Sequence, residues 1–158
     1  MLKVAPPAGE FFLPGHPERP IILLSGGVGL TPMISMLETL AAHHPDTPVH
    51  YAHGTLDGST HAMRDHVHRL VDGQDSARAT VFYQTPRPED VQGRDYDRAG
   101  LIDGDWLAAN TPVGHADYFL CGPRPFLRAL VSALSLSGVP SQHIHYEFFG
   151  PADELLAA

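Results

Sequence analysis

The chain has 158 residues, 43% apolar and 18% charged, with 10 basic residues against 18 acidic ones and a formal charge of −8. That length suits one domain with a core of its own, and the apolar content excludes intrinsic disorder. The basic residues are few and scattered, which excludes a nucleic-acid surface, because phosphate neutralisation needs clustered Lys and Arg.

In chain order, residues 20–25 (Pro-Ile-Ile-Leu-Leu-Ser) form a short apolar run that stops at Gly26-Gly27-Val28-Gly29. A run of this kind predicts a strand buried on both faces, as in a parallel sheet. Thr31 and Pro32 are expected to open a helix, Thr31 as its cap and Pro32 as its first residue. Met33, Met36, Leu37 and Leu40 follow at helical spacing. Residues 49–53 predict a second strand. Residues 61–72 predict a helix with Met63, Val67 and Leu70 inward, and 79–84 a third strand. The polar stretch from Thr85 to Gly100 reads as a long surface loop, with a short helical turn around Trp106-Leu107. Residues 116–120 predict a fourth strand, ending at Cys121-Gly122-Pro123. Arg124 to Ser137 predicts a helix with Phe126, Leu127, Leu130, Val131 and Leu134 as its apolar stripe, closed by Gly138. Residues 144–149 predict a fifth strand.

Alternating strands and helices imply an α/β fold, a doubly wound five-stranded parallel sheet with helices on both faces. Leu2 to Phe12 matches none of this pattern and reads as the end of something else. A single cysteine, Cys121, cannot form an internal disulfide, and the N-terminus has no apolar leader. No run approaches the ~20 apolar residues of a membrane span. A soluble, cytoplasmic protein is expected. The 11 histidines are an oddity. At ordinary pKa values about ten would be charged at pH 5.5, taking the net charge to roughly +2. Their spacing does not converge, so no metal site is expected.

In doubly wound sheets, ligands bind beyond the carboxyl ends of the strands where strand order reverses. Two predicted strands end in glycine turns that lead into helices, at Gly26–Thr31 and at Cys121–Pro123. Facing one another, the two turns would suit a diphosphate cofactor, with backbone N–H groups and a helix N-terminus toward the anion. The spacing is neither Gly-x-Gly-x-x-Gly nor a P-loop, and a plain tight turn is the alternative reading.

Three motifs, Leu24-Ser-Gly-Gly-Val-Gly-Leu-Thr-Pro-Met33, Phe119-Leu-Cys-Gly-Pro123 and His145-Tyr-Glu-Phe-Phe-Gly-Pro151, resemble the ferredoxin-reductase-like superfamily. The resemblance is nearest to the C-terminal NAD(P)H-binding domain of flavohaemoglobins, the bacterial nitric oxide dioxygenases. It implies a hydride relay from NAD(P)H to FAD and on to haem. By the same resemblance, Gly26, Gly27, Val28, Gly29, Leu30, Thr31 and Pro32 would hold the phosphates. Cys121, Gly122 and Pro123 would line the nicotinamide. Cys121 and Glu147 would be the catalytic positions, Glu147 lying against the flavin. Phe148, Phe149, Gly150 and Pro151 complete the cofactor-binding set, with Phe148 assigned to the core and Phe149 to the flavin side.

The resemblance further implies that residues 1–13 are a remnant of a preceding flavin-barrel strand and linker, and 14–158 the nucleotide-binding domain. The FAD-binding barrel and a globin domain would be partners absent from this chain. NADH is expected over NADPH, because Asp57 follows the second strand and no Arg or Lys appears before Arg64. His50 and His53, if cationic, would let NADPH gain as pH falls toward 6. Two other readings are the reductase of a ferredoxin-linked or oxygenase system, and a stand-alone, non-catalytic nucleotide-binding domain.

Overall fold

The computed structural model describes residues 9–148. Its elements are β1 (Ile21–Gly26), α1 (Leu30–His43), β2 (Val49–Thr55), α2 (Arg64–Asp72), β3 (Ala77–Tyr83), β4 (Arg98–Ala99), α3 (Gly104–Asn110), β5 (Asp117–Gly122), α4 (Arg124–Leu136) and β6 (Ile144–Phe148). Every strand pair is parallel, in the order β4-β3-β2-β1-β5-β6.

The apolar run of β1 is buried at all six positions because the sheet is covered on both sides. Ile21 and Leu23 face α1 and α2, together with Tyr51, Phe119 and Cys121. Ile22 and Leu24 face the opposite layer, packing with Trp106 and Leu107 of α3 and Leu127, Leu130 and Leu134 of α4. Alternate side chains of one strand therefore tie both helical layers to the sheet. Truncating Leu24, which has no exposed surface, to Ala would cost about 2–5 kcal/mol. Helix α4 ends as expected. Gly138 is left-handed at φ 85°, its N–H reaches the Ser135 carbonyl, and the Val139 N–H reaches that of Leu134. Those two bonds define a Schellman motif.

The fold departs from the expectation in three places. The stretch 85–100 is not all loop, because Arg98–Ala99 adds a sixth strand to the edge of β3. Its approach is fixed by Asp97, whose N–H donates to the Val81 carbonyl and whose carboxylate accepts from the Val81 N–H. Two residues carry no periodicity, so this strand leaves no pattern in the sequence. Helix α1 begins at Leu30, not Pro32, because a 3-10 turn over Gly27–Gly29 runs straight into it. Thr31 therefore lies inside the helix and does not cap it. Met63 is not inward: it precedes α2 in a left-handed conformation, φ 56°, and is 47% exposed.

Near the N-terminus, Phe11 and Leu13 pack on the α1 layer, with Phe11 edge-on to Phe119 at 6.0 Å. No helix among the described residues is long and apolar enough to cross a membrane.

Candidate functional site

From β1 the chain winds outward to β2 and β3, then returns to place β5 on the other side of β1. The carboxyl ends of β1 and β5 are thus the point where strand order reverses. The two glycine turns meet there in contact. A Cβ at Gly29 would be driven into the Cys121 carbonyl and would lie 2.8 Å from Gly122 N. A Cβ at Gly122 would lie 3.1 Å from Gly26 N and 2.8 Å from the Phe126 ring. Gly26, Gly29 and Gly122 are buried at this contact, so their lack of a side chain serves the meeting of two backbones. Gly27 differs: its φ is 53°, and a Cβ there would have open space around it. It alone of the four supplies the turn geometry itself.

The helices that begin at this junction are open to an anion. The N-cap of α1 is Gly29 and that of α4 is Pro123, and neither has a side chain that caps. The first turns, Leu30-Thr31-Pro32-Met33 and Arg124-Pro125-Phe126-Leu127, carry no acid. By contrast Asp103 caps α3 through the Trp106 N–H, and α2 carries Asp65 in its first turn. Although the Leu30 N–H already donates to the Gly27 carbonyl, the positive end of α1, with no acid in its first turn, suits a phosphate group.

The expected site residues divide by exposure. Val28, Thr31 and Pro123 are exposed, Gly27 and Pro32 half-buried, and Leu30 lies in the core against α1's neighbours. Cys121 is fully buried, and burial, with Glu147 nearby, pushes its thiol up to about 11. It is a neutral thiol at pH 7, suited to contact and not to acid–base work. Glu147 is the register partner of Cys121 across β5 and β6 and is exposed. Phe148, one residue on, packs on the α3/α4 layer beneath the Arg124 guanidinium, 5.5 Å from the ring centroid. Tyr146 is 58% exposed on the same edge strand. Phe149, Gly150 and Pro151 lie outside the described residues.

Asp57 does not stand free at the end of β2. Its carboxylate accepts from the Ser59 N–H at 2.8 Å and lies 3.7 Å from Arg87. Arg87 also pairs with Glu89 at 3.0 Å and Asp90 at 3.3 Å. Nor are His50 and His53 poised to become cationic near pH 6. Both are buried, and desolvation lowers each to about 4.

A polar chain crosses the strand ends on the α1/α2 side. Ser25 Oγ lies 2.8 Å from Tyr51 OH and 2.7 Å from His53 Nδ1. The His53 ring lies 5.3 Å from that of His61, which in turn meets Tyr83 OH at 2.9 Å through Nδ1. Taking all the histidines at ordinary pKa values missed this chain. A histidine inside an otherwise apolar strand was the available sign. Among the described residues no cluster of three or more His, Cys, Asp or Glu could hold a metal ion.

Residues 23–132 match the family model of the oxidoreductase NAD-binding domain. The whole chain is 53% identical to part of a flavohemoprotein of Xylella fastidiosa, covering 38% of that protein. A flavohemoprotein of Bacillus cereus is 41% identical over 155 residues, 98% of this chain and 39% of that protein. The chain thus spans about two fifths of the length of these curated relatives. Among solved structures, the flavohem-like FAD/NAD binding domain of nitric oxide dioxygenase from Vibrio cholerae superposes with a TM-score of 0.76 at 33% identity. It matches 91% of this chain and 56% of its own length. The Amycolatopsis cytochrome P450 reductase GcoB gives 0.79 at 26% identity, over 92% of this chain and 43% of its own.

Proposed function

The chain belongs to the oxidoreductase NAD-binding domain family, and from that premise we propose that it is the NADH-binding module of a flavohemoprotein-type reductase, acting in nitric oxide dioxygenation. The observation that carries the reading is the junction of β1 and β5, where two helices without side-chain caps open beside two glycine turns in contact. Gly27, Val28 and Thr31 would face the cofactor's phosphates, and Cys121 to Pro123 would lie along the nicotinamide. Glu147, exposed beside Cys121 on β6, would meet the flavin in this reading. FAD held by an adjoining barrel would accept the hydride and release electrons singly to haem in a globin. The length of the relatives supports both partners. A cytoplasmic location accords with the single cysteine.

NADH is preferred in this reading because the end of β2 is acidic. A 2′-phosphate there would meet Asp57, Glu89 and Asp90 around one guanidinium that they already share. Because His50 and His53 stay neutral at pH 6, the preference should hold from pH 8 to pH 6. Titration by dihydronicotinamide fluorescence should give saturable NADH binding, and weaker NADPH binding at both pH values. A folded chain that binds neither nucleotide defeats the functional reading. Tighter NADPH binding defeats the specificity argument alone.

A further inference from the structure

Phe126 stands in the first turn of α4, on the opposite face of the sheet from α1. Its ring is half-buried against the α3/α4 layer, and its upper edge touches both glycine turns at once. A Cβ at Gly26 would lie 3.0 and 3.1 Å from Phe126 Cγ and Cδ2, and one at Gly122 would lie 2.8 Å from Cδ1. From the α1 side, Gly29 presses on Cys121 and Gly122. The junction is therefore clamped between a helix N-terminus on one face and an aromatic ring on the other.

We propose that Phe126 is a positioning residue, setting the separation of the Gly26–Gly29 and Cys121–Pro123 turns and thereby the placement of a bound nicotinamide. This rests on the nucleotide-binding reading above. Close-packed contacts of this kind transmit small displacements, because a void on one side forfeits the contacts that fixed the backbone. The two turns serve different parts of the cofactor, so moving one against the other affects them unequally. The ring meets the first turn only at its start, Gly26, and the anion site at the start of α1 lies on the far face, so it is expected to move less than the Cys121 turn when the ring is removed. The turn around Cys121 loses its support. Hydride transfer is sensitive to placement where binding is not, a displacement of about 1 Å being able to cost ~100-fold.

The geometry also supplies a compensating change. Gly26 has φ −115°, ψ 122°, a conformation open to any residue. The atoms nearest the methyl it would carry are Phe126 Cγ and Cδ2 and then Pro123 Cδ at 3.2 Å. Gly26→Ala and Phe126→Ala therefore damage the same contact in opposite senses, one by crowding and one by a void.

The test is a double-mutant cycle of these two substitutions, read three ways. NADH affinity and the amide shifts of Gly29 and Cys121 are measured on the chain. Single-turnover flavin reduction is measured on the protein that carries the chain with its flavin domain. Phe126→Ala is expected to slow flavin reduction by ~10–100-fold while NADH affinity changes less than ~3-fold. Adding Gly26→Ala to it should recover rate and return the Cys121 shift toward its original position. Effects that simply multiply, or parallel losses of affinity and rate, would overturn the proposal. Should Phe126→Ala fail to fold, Phe126→Leu enters the same cycle with the same criteria. A wild-type chain that binds no NADH counts against the functional reading instead, and the amide shifts then decide Phe126 alone.

Discussion

At the scale of single residues, the glycines of the first turn have different duties, and substitutions should separate them. Gly29→Ala sets a methyl against the Cys121 backbone, which cannot move aside as a flexible side chain would. It should cost about 1–3 kcal/mol or more of stability, with nucleotide binding lost alongside. Gly27→Ala meets no neighbour and costs only the left-handed strain, about 1–2 kcal/mol. Urea unfolding of the two variants checks the order, and a Gly29→Ala variant as stable as wild type would show that the turns do not touch. The run Gly26-Gly27-Val28-Gly29 was legible as a turn between strand and helix. Which glycine answers to the turn and which to a neighbour was not, since Cys121 and Gly122 lie more than 90 positions away in the chain. The same distance hid Phe126, which reads along α4 as one more member of an apolar stripe.

At the scale of elements, β2 is the strand whose sequence most understates its environment. His50 meets Thr80 Oγ1 at 2.8 Å and stacks edge-on to Trp106, while His53 is joined to Ser25. Desolvation holds both near 4, well below the ordinary value near 6.5. The unfolded chain therefore takes up protons on these groups as pH falls below 6.5, and the folded chain does not until about 4. Stability must fall across that window, by about 1 kcal/mol for each of the two at pH 5.5. Asp57, Asp90 and Asp95 are lowered by their hydrogen bonds and arginine partners, so their contribution is lost only below the ordinary carboxylate range, at more acid pH. Urea midpoints should decline from pH 7 to pH 5.5, and replacing His53 by a neutral residue should flatten the decline. A midpoint that does not move over this interval would place both rings in solvent. Elements with a long apolar period, β1, α1, β5 and α4, were legible because burial on both faces of the sheet imposes that period. Their ends were less so, as the Gly27–Gly29 turn running into α1 shows, and β4 was invisible because two residues carry no period and its pairing with β3 rests on backbone bonds and one distant aspartate contact.

At the scale of the whole molecule, the buried rings alter the charge balance inferred from composition. His50, His53 and His61 all lie near 4, so these three stay neutral at pH 5.5. At pH 5.5 the folded chain therefore carries about three fewer positive charges than its composition alone implies. Electrophoresis at pH 5.5 should show the folded chain less cathodic than the chain unfolded in urea. Redox chemistry sets a second test. A nicotinamide gives up a hydride only to an acceptor in contact with it, and holding the two together is worth about 7–11 kcal/mol in favourable cases. The chain alone should oxidise NADH at background rate, and joined to a flavin-binding domain it should reduce the flavin. Enzyme-like turnover with free FAD would remove the need for that partner. The sheet order has one further consequence, for the way the chain acquires its shape. Ile21 pairs with Val49 on one side and with Asp117 on the other, so the two lips of the crevice come from opposite ends of the chain. During synthesis, β1 to β3 can assemble with α1 and α2 long before β5 leaves the ribosome. The right flank of β1 is then an open edge, with apolar surface exposed until its distant partner arrives. Such non-local parallel pairing is slow, which makes nucleotide-binding competence a late product of folding and the half-built sheet the species most in need of protection from aggregation.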